Sequence, residues 1–182
     1  DSLNLTSNSG SIINFSKLKA GGNISLAAAN NITNTSSIKT NAANLLDSDN
    51  PAYISNGRDS SNSGNISSTL FESAVIEAGN ISINAGNDFT NNAANINASG
   101  NLEISAGDDI NITTLKLRNR KVRKWGSRSN GGTSIVDTTT NVGSNINSEG
   151  DLHLNSANDT LIAGSNINAV SYTHLTLPTK RI

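Results

Sequence analysis

The chain has 182 residues, of which 34% are apolar and 3% aromatic, with a formal net charge of −1 and no cysteine. These values exclude a disulfide framework and a cysteine-ligated zinc site, and no stretch is long or apolar enough to span a membrane as a helix. So polar a composition would suit disorder, but disorder does not set apolar residues in register along a whole chain. This chain does.

Residues 1–21 carry Leu3, Leu5 and Leu18 at positions that recur later. Gly22-Asn23-Ile24-Ser25-Leu26 then opens a unit that returns as Gly79-Asn80-Ile81-Ser82-Ile83, Gly100-Asn101-Leu102-Glu103-Ile104 and Gly150-Asp151-Leu152-His153-Leu154. The two middle copies lie 21 residues apart. A unit this short has no interior of its own, so neighbouring units must stack to make a core. In each, two apolar residues flank a polar one, the period of a strand with one buried face.

A polar pair follows in place at Asn30-Asn31, Asn87-Asp88, Asp108-Asp109 and Asn158-Asp159. These residues tolerate left-handed backbone and hydrogen-bond locally, as a tight bend requires. Ile32, Phe89 and Ile110 supply the next apolar position, and Ile38, Ile96, Leu117 and Ile167 the last. Three short strands and three bends per unit predict an all-β fold, a right-handed parallel β-helix of three strands per coil. Neither the Leu-rich signature of leucine-rich repeats nor the spacing of helical repeats is present. About six to eight coils are expected from the period.

Two segments leave this frame. Residues 44–63, with Pro51, Gly57 and the run Asp59-Ser60-Ser61-Asn62-Ser63, read as a polar surface loop, after which the coil is expected to resume near Gly64-Asn65-Ile66. Residues 114–142 read as a projecting β-hairpin: strand-like Thr114 to Arg123, turn-rich Trp125 to Gly132, then β-branched Thr133 to Val142.

Charge concentrates on that hairpin. Lys116, Arg118, Arg120, Lys121, Arg123, Lys124 and Arg128 lie on it, beside Trp125, whereas most acidic residues lie on the coils. The functional reading is a contact surface for an anionic partner, such as lipopolysaccharide, an acidic receptor or another part of the same protein, with Trp125 as apolar anchor. The plain reading is that an uncovered strand pair carries Lys and Arg to keep its edges from pairing. Nucleic acid is not expected as a partner, because the coils are acidic and no recognised binding module accompanies the cluster.

From Val170 onward the period lapses. Ser171 stands where Gly is due, asparagine vanishes, and Val170 to Thr179 is what one frame of a common transposon-based sequencing-library adapter encodes. Residues 170–182 therefore read as an adapter-derived tail, not native protein, and His174, Lys180 and Arg181 receive no functional weight. The lack of methionine and the mid-coil opening at Asp1 read as a fragment of a longer frame.

Catalytic chemistry is sparse. His153 occupies an outward slot between Leu152 and Leu154, and one His makes neither a zinc site nor a Ser/His/Asp constellation. Asp88 and Asp109 would stack on adjacent coils, as would Asn87 and Asp108, which raises a calcium site or the carboxylate pair of a glycan-cleaving enzyme. Turn chemistry already explains these acids, because other coils hold Asn there. No cofactor, metal or catalytic residue is expected.

The coils of the Gly79-Asn80-Ile81 type, with Leu117-Arg118-Asn119-Arg120, Gly131-Gly132-Thr133 and Thr138-Thr139-Thr140-Asn141-Val142-Gly143-Ser144-Asn145-Ile146, closely resemble the haemagglutinin repeats of two-partner-secreted exoproteins. Filamentous haemagglutinin-like adhesins and the stalks of contact-dependent growth-inhibition effectors belong to that group. The resemblance covers residues 1–169. It implies secretion through a dedicated outer-membrane transporter, folding at the bacterial cell surface, and a structural, non-enzymatic role as a fibre without a transmembrane helix. That fibre would meet target-cell surface or outer-membrane components, for adhesion or for delivery of a C-terminal toxin. The alternative is a fragment of a β-helical polysaccharide-processing enzyme.

Overall fold

A computed structural model describes residues 1–43, 64–127 and 130–176, giving backbone alone for 42–43, 64, 124–127, 130 and 171–176. The chain is a parallel β-helix whose strands belong to two compact units. One unit comprises Asp1–Ser37, Glu72–Leu115 and Val142–Ile182, the other Ile38–Phe71 and Lys116–Asn141.

The first unit is the coil stack. β1 (Leu3–Ser7), β2 (Ile12–Asn14) and β3 (Lys17–Lys19) make the first coil. β4 (Asn23–Ala28) and β5 (Ile32–Thr35) begin the second, and the chain then runs through β6 (Ser37–Ala43) and β7 (Gly64–Glu72) before β8 (Val75–Ala78) closes it. β9 (Asn80–Ala85), β10 (Phe89–Asn92) and β11 (Asn95–Ala98) form an uninterrupted third coil. The fourth opens with β12 (Leu102–Ala106) and β13 (Ile110–Thr113), departs through β14 (Leu115–Ser127) and β15 (Asn130–Val142), and closes with the first half of β16 (Asn145–Ser156). The second half of β16, β17 (Thr160–Ile162) and the start of β18 (Asn166–Thr176) form the fifth. Five complete coils thus stand among the described residues, fewer than the period suggested, because the two excursions consume chain that would otherwise coil.

Every described pairing within the stack is parallel, and all but one hold a single register; β16 and β18 shift register between Ser148 and Asp151 and between Leu152 and Leu154. Ile24, Ile81, Leu102 and Leu152 stand over one another, as do Leu26, Ile83, Ile104 and Leu154. Phe89 lies between Ile32 and Ile110. All are at most 4% exposed. Each such side chain removed from water contributes about 1.5–3 kcal/mol. Equivalent residues are 57 apart across the first excursion and 50 apart across the second, but 21 apart between intact coils. Both excursions therefore leave and rejoin at the same corner, between the second and third strands.

That corner has its own geometry. It is closed by one residue of positive φ in the third coil, Ala93 (φ 48), and in the fifth, Gly164 (φ 57), the only such residues described, whereas the first coil turns there without one. The polar pairs expected to use left-handed backbone do not. They work between coils: Asn31 Oδ1 accepts from the Asp88 amide (3.2 Å), Asp88 Oδ1 from the Asp109 amide (3.2 Å), and Asp109 Oδ1 from the Asp159 amide (3.0 Å). Asn80 and Asn101 form the same ladder at another corner, toward the amides of Asn101 and Asp151. Recurring glycine likewise answers to stacking, since a Cβ on Gly107 would lie 2.0 Å from the Gly86 carbonyl oxygen.

Two expectations of coil position fail here. Ile38 is 43% exposed on β6 and Leu117 is half-buried on β14, because the chain has already left the stack; Ile76 and Ile146 fill their column instead, on either side of Ile96. Gly64-Asn65-Ile66, which looks like the start of a coil, lies on β7 and pairs antiparallel with β14, and the coil resumes at Val75. The loop expected over 44–63 lies outside the described residues.

The second unit is a four-stranded sheet in the order β15-β14-β7-β6. β14 and β7 run antiparallel from Asn119↔Ser67 to Val122↔Gly64. Among its described residues Val122, 7% exposed, is the one buried apolar side chain. Polar pairs supply the rest: Ser67 Oγ donates to Asn119 Oδ1 (2.8 Å), and the Thr40 and Ser68 hydroxyls lie 3.2 Å apart.

Candidate contact surface

A strand turns alternate side chains to opposite faces. On β14 this sets Lys116, Arg118 and Arg120 on one face and Lys121 and Arg123 on the other, so the basic residues do not form one patch. Lys116, Arg118, Lys121 and Arg123 are exposed, and Arg120 is half-buried. Lys124 and Trp125 lie on the β14 backbone with side chains outside the described set, and Arg128 lies outside the described residues altogether.

Arg118 grips Asp137 of β15 with two nitrogens, Nη2 to Oδ2 at 2.6 Å and Nε to Oδ1 at 3.0 Å. The Arg118 hydrogen bond holds the Asp137 carboxyl below its ordinary pKa, partial desolvation opposes it, and the charges of Arg118 and Arg120 add to the lowering. Asp137 is the one acid in 116–141, against seven Lys and Arg. The unit containing this sheet carries 9 basic and 4 acidic residues, the coil unit 4 and 10. The charge separation visible in the sequence is therefore a separation between two units.

Sheet order bears on the plain reading of these cations. Guarding an edge requires charge on an edge strand. β14 is an inner strand, with β15 on one side and β7 pairing with Asn119 to Val122 on the other. Edge protection therefore does not account for Arg120 and Lys121, which lie within the stretch paired to β7.

The corner acids have a structural task. Asp88, Asp108 and Asp109 bring carboxylate oxygens within 4.8 Å of one another. Asp88 and Asp109 already accept the backbone amides of the following coils, and Asp109 also accepts from Asn158 Nδ2 (3.0 Å). His153 is exposed and stands beside Glu103 of the neighbouring strand.

A column of asparagines lies inside the coils. Asn14 Nδ2 donates to Asn34 Oδ1 (2.8 Å), Asn34 Nδ2 to Asn91 Oδ1 (2.7 Å), and Asn91 Nδ2 to the Ala94 carbonyl (2.9 Å). Asn34 and Asn91 are fully buried. The signal was the phase of the strand, since Ile32-Thr33-Asn34 and Phe89-Thr90-Asn91 place Asn on the same face as the apolar residue. Ser36 and Ser144 seal the corners where the chain departs and returns. Ser36 Oγ donates to the Ala93 carbonyl and accepts from the Ala74 amide, while Ser144 Oγ reaches the carbonyls of Asn91 (3.0 Å) and Thr113 (2.9 Å).

Stacked short coils with an interior of like-on-like ladders define a solenoid of the parallel β-helix class. The chain belongs to the hemagglutinin repeat family, which it matches over residues 2–127 and 124–175. Proteins of this family are secreted, adhesin-like surface proteins associated with two-partner secretion. No curated protein and no solved structure matches the chain. No helix among the described residues is long and apolar enough to cross a membrane.

Proposed function

We propose that this chain is a non-catalytic stalk segment of a bacterial surface exoprotein, exported through a dedicated outer-membrane transporter and presenting β14 to an anionic partner on a target cell. The load carried by the stalk is an adhesive region or a C-terminal toxin of contact-dependent growth inhibition. One observation supports the contact site above all others: the basic residues cluster on a strand inside the sheet, and Arg120 and Lys121 lie in the stretch paired to β7, where edge protection gives them no purpose. Lipopolysaccharide, an acidic receptor and another part of the exoprotein share the chemistry that such a row recognises.

The test is retention of the chain on lipopolysaccharide vesicles and on target-cell outer membranes at rising salt. Replacing Lys116, Lys121 and Arg123 by Ser, which leaves the Arg118–Asp137 pair intact, is expected to abolish salt-sensitive retention. Equal retention of variant and wild type removes the contact reading. Between the two loads the downstream reading frame decides: a toxin domain there supports delivery, and its replacement by further receptor-binding repeats supports adhesion.

A further inference from the structure

The edge of the four-stranded sheet carries an inference beyond the basic row. β15 is the terminal strand, and among the described residues no strand pairs with its outer side. It spans 13 residues, against seven for β6 at the opposite edge. A strand edge exposes unpaired N–H and C=O groups, and proteins ordinarily protect it with Lys, Pro, a bulge or shortness. β6 is short and carries Lys39. β15 has no Lys, Arg or Pro, and its one charged residue, Asp137, is already paired with Arg118.

Its side chains suit pairing. Thr133, Ile135 and Thr139 alternate with Val136, Thr138, Thr140 and Val142, so both faces offer β-branched neighbours to an added strand. Ile135 and Val136 are 55% and 57% exposed. The β14 cations flank β15 on both faces. A strand added outside β15 would lie about 10 Å from the β14 backbone, within reach of long basic side chains and about one Debye length at physiological salt. An acidic strand gains from that field. A second copy would instead set one basic sheet beside another.

We infer that β15 is a strand-addition site, taking an extended acidic segment of another polypeptide by backbone pairing along Thr133 to Val142. The choice of an acidic occupant rests on the contact reading of β14; the edge itself does not. The experiment titrates the unmutated chain with a labelled peptide of alternating valine and glutamate matched to β15 in length. Two comparison peptides are the same sequence N-methylated throughout and a valine–lysine analogue.

The expected result is binding of the valine–glutamate peptide with slowed hydrogen exchange at every second amide of β15, and affinity about tenfold or more lower for each comparison peptide, since ladder hydrogen bonds or charge attraction are then lost. Equal binding of the N-methylated peptide, or binding without β15 protection, reduces the site to ion pairing with β14 and overturns strand addition. Equal binding of the valine–lysine peptide overturns the acidic occupant. Protection of the same amides in a peptide-free dimer identifies a second copy as the occupant and overturns it too. Absence of binding by all three peptides overturns the proposal while leaving the vesicle test of β14 untouched.

Discussion

The coil stack and the four-stranded sheet hold together by different means. In the coils, identical or similar side chains stand over one another, so Ile83, Ile104 and Leu154 are each covered by the coils beside them. In the sheet, among the described residues, one buried valine and a few hydroxyl and amide pairs carry the interior. The difference shows what repetition provides. A residue in a ladder is buried by its own homologue, whereas a residue in an inserted strand depends on whichever partner the other insertion supplies. Damage to a ladder should therefore spread through the stack, and damage to the sheet should stay local.

The largest expected effect tests the first half of that contrast. Ile104, wholly buried between Ile83 and Leu154, loses most of its side chain in Ile104→Ala. A cost of about 2–5 kcal/mol is expected, because rigid neighbouring coils cannot collapse into the cavity. Urea denaturation should show the loss, and hydrogen exchange should quicken in the adjacent coils as well. Faster exchange confined to β12 would show that the coils do not share stability.

The asparagine column refines the same contrast within the coils. Asn34→Ala leaves the buried amides of Asn14 and Asn91 without the partner they now have, at an expected cost of about 1–3 kcal/mol. Replacing Asn14, Asn34 and Asn91 together by Ile should recover most of that loss, since Ile112 already fills the equivalent position one coil on. If the triple variant is less stable than the single one, the column contributes more than satisfied amides. Comparing their denaturation midpoints decides it.

These ladders also mark how far the sequence could be read. The stacking of Ile81 on Leu102 and Phe89 on Ile110 was legible because an unbroken period preserves both spacing and strand phase. Ile38 and Leu117 were misplaced because a local apolar position looks the same whether the next residues coil or depart. Gly64-Asn65-Ile66 misled for the same reason: the motif describes a strand start, and its partner decides which sheet receives it. Asn34 and Asn91 were hidden by composition, since asparagine abundant on the outside disguises asparagine within. The basic residues themselves were plain in the chain, but the order of strands in a sheet formed by two distant insertions is not written in either one. That order places the cations on an inner strand and, among the described residues, leaves the outer side of β15 without a paired strand.

On the sheet side, Val122→Ala removes the one described buried apolar side chain. About 1–2 kcal/mol is expected from the lost methyl groups. The effect should appear as faster amide exchange across Asn119 to Val122 and Gly64 to Ser67, with coil amides unchanged. Equal acceleration in β9 and β12 would mean that the two units unfold together.

The smallest expected effect is electrostatic and occurs once in each unit. On the coils, Glu77 accepts from Lys19 at 2.6 Å with Lys17 at 3.5 Å; on the sheet, Asp137 accepts from Arg118. The Lys19 hydrogen bond holds the Glu77 carboxyl below its ordinary pKa, partial desolvation works against it, and the lysine charges add to the lowering. Asp137 is lowered by Arg118 in the same way. A carboxyl with a depressed folded pKa binds its proton more readily when unfolded, so each pair stabilises its unit above the unfolded value and loses that contribution as pH falls through the folded one. Both carboxyls are solvent-accessible and screened by salt, which keeps the contribution slight. Lys19→Ala should therefore lower coil stability at neutral pH and low salt, Arg118→Ala should quicken exchange in the sheet alone, and each difference from wild type should vanish as pH drops well below 4. A difference that persists in acid would assign the effect to lost packing of the Lys or Arg stem instead of lost charge.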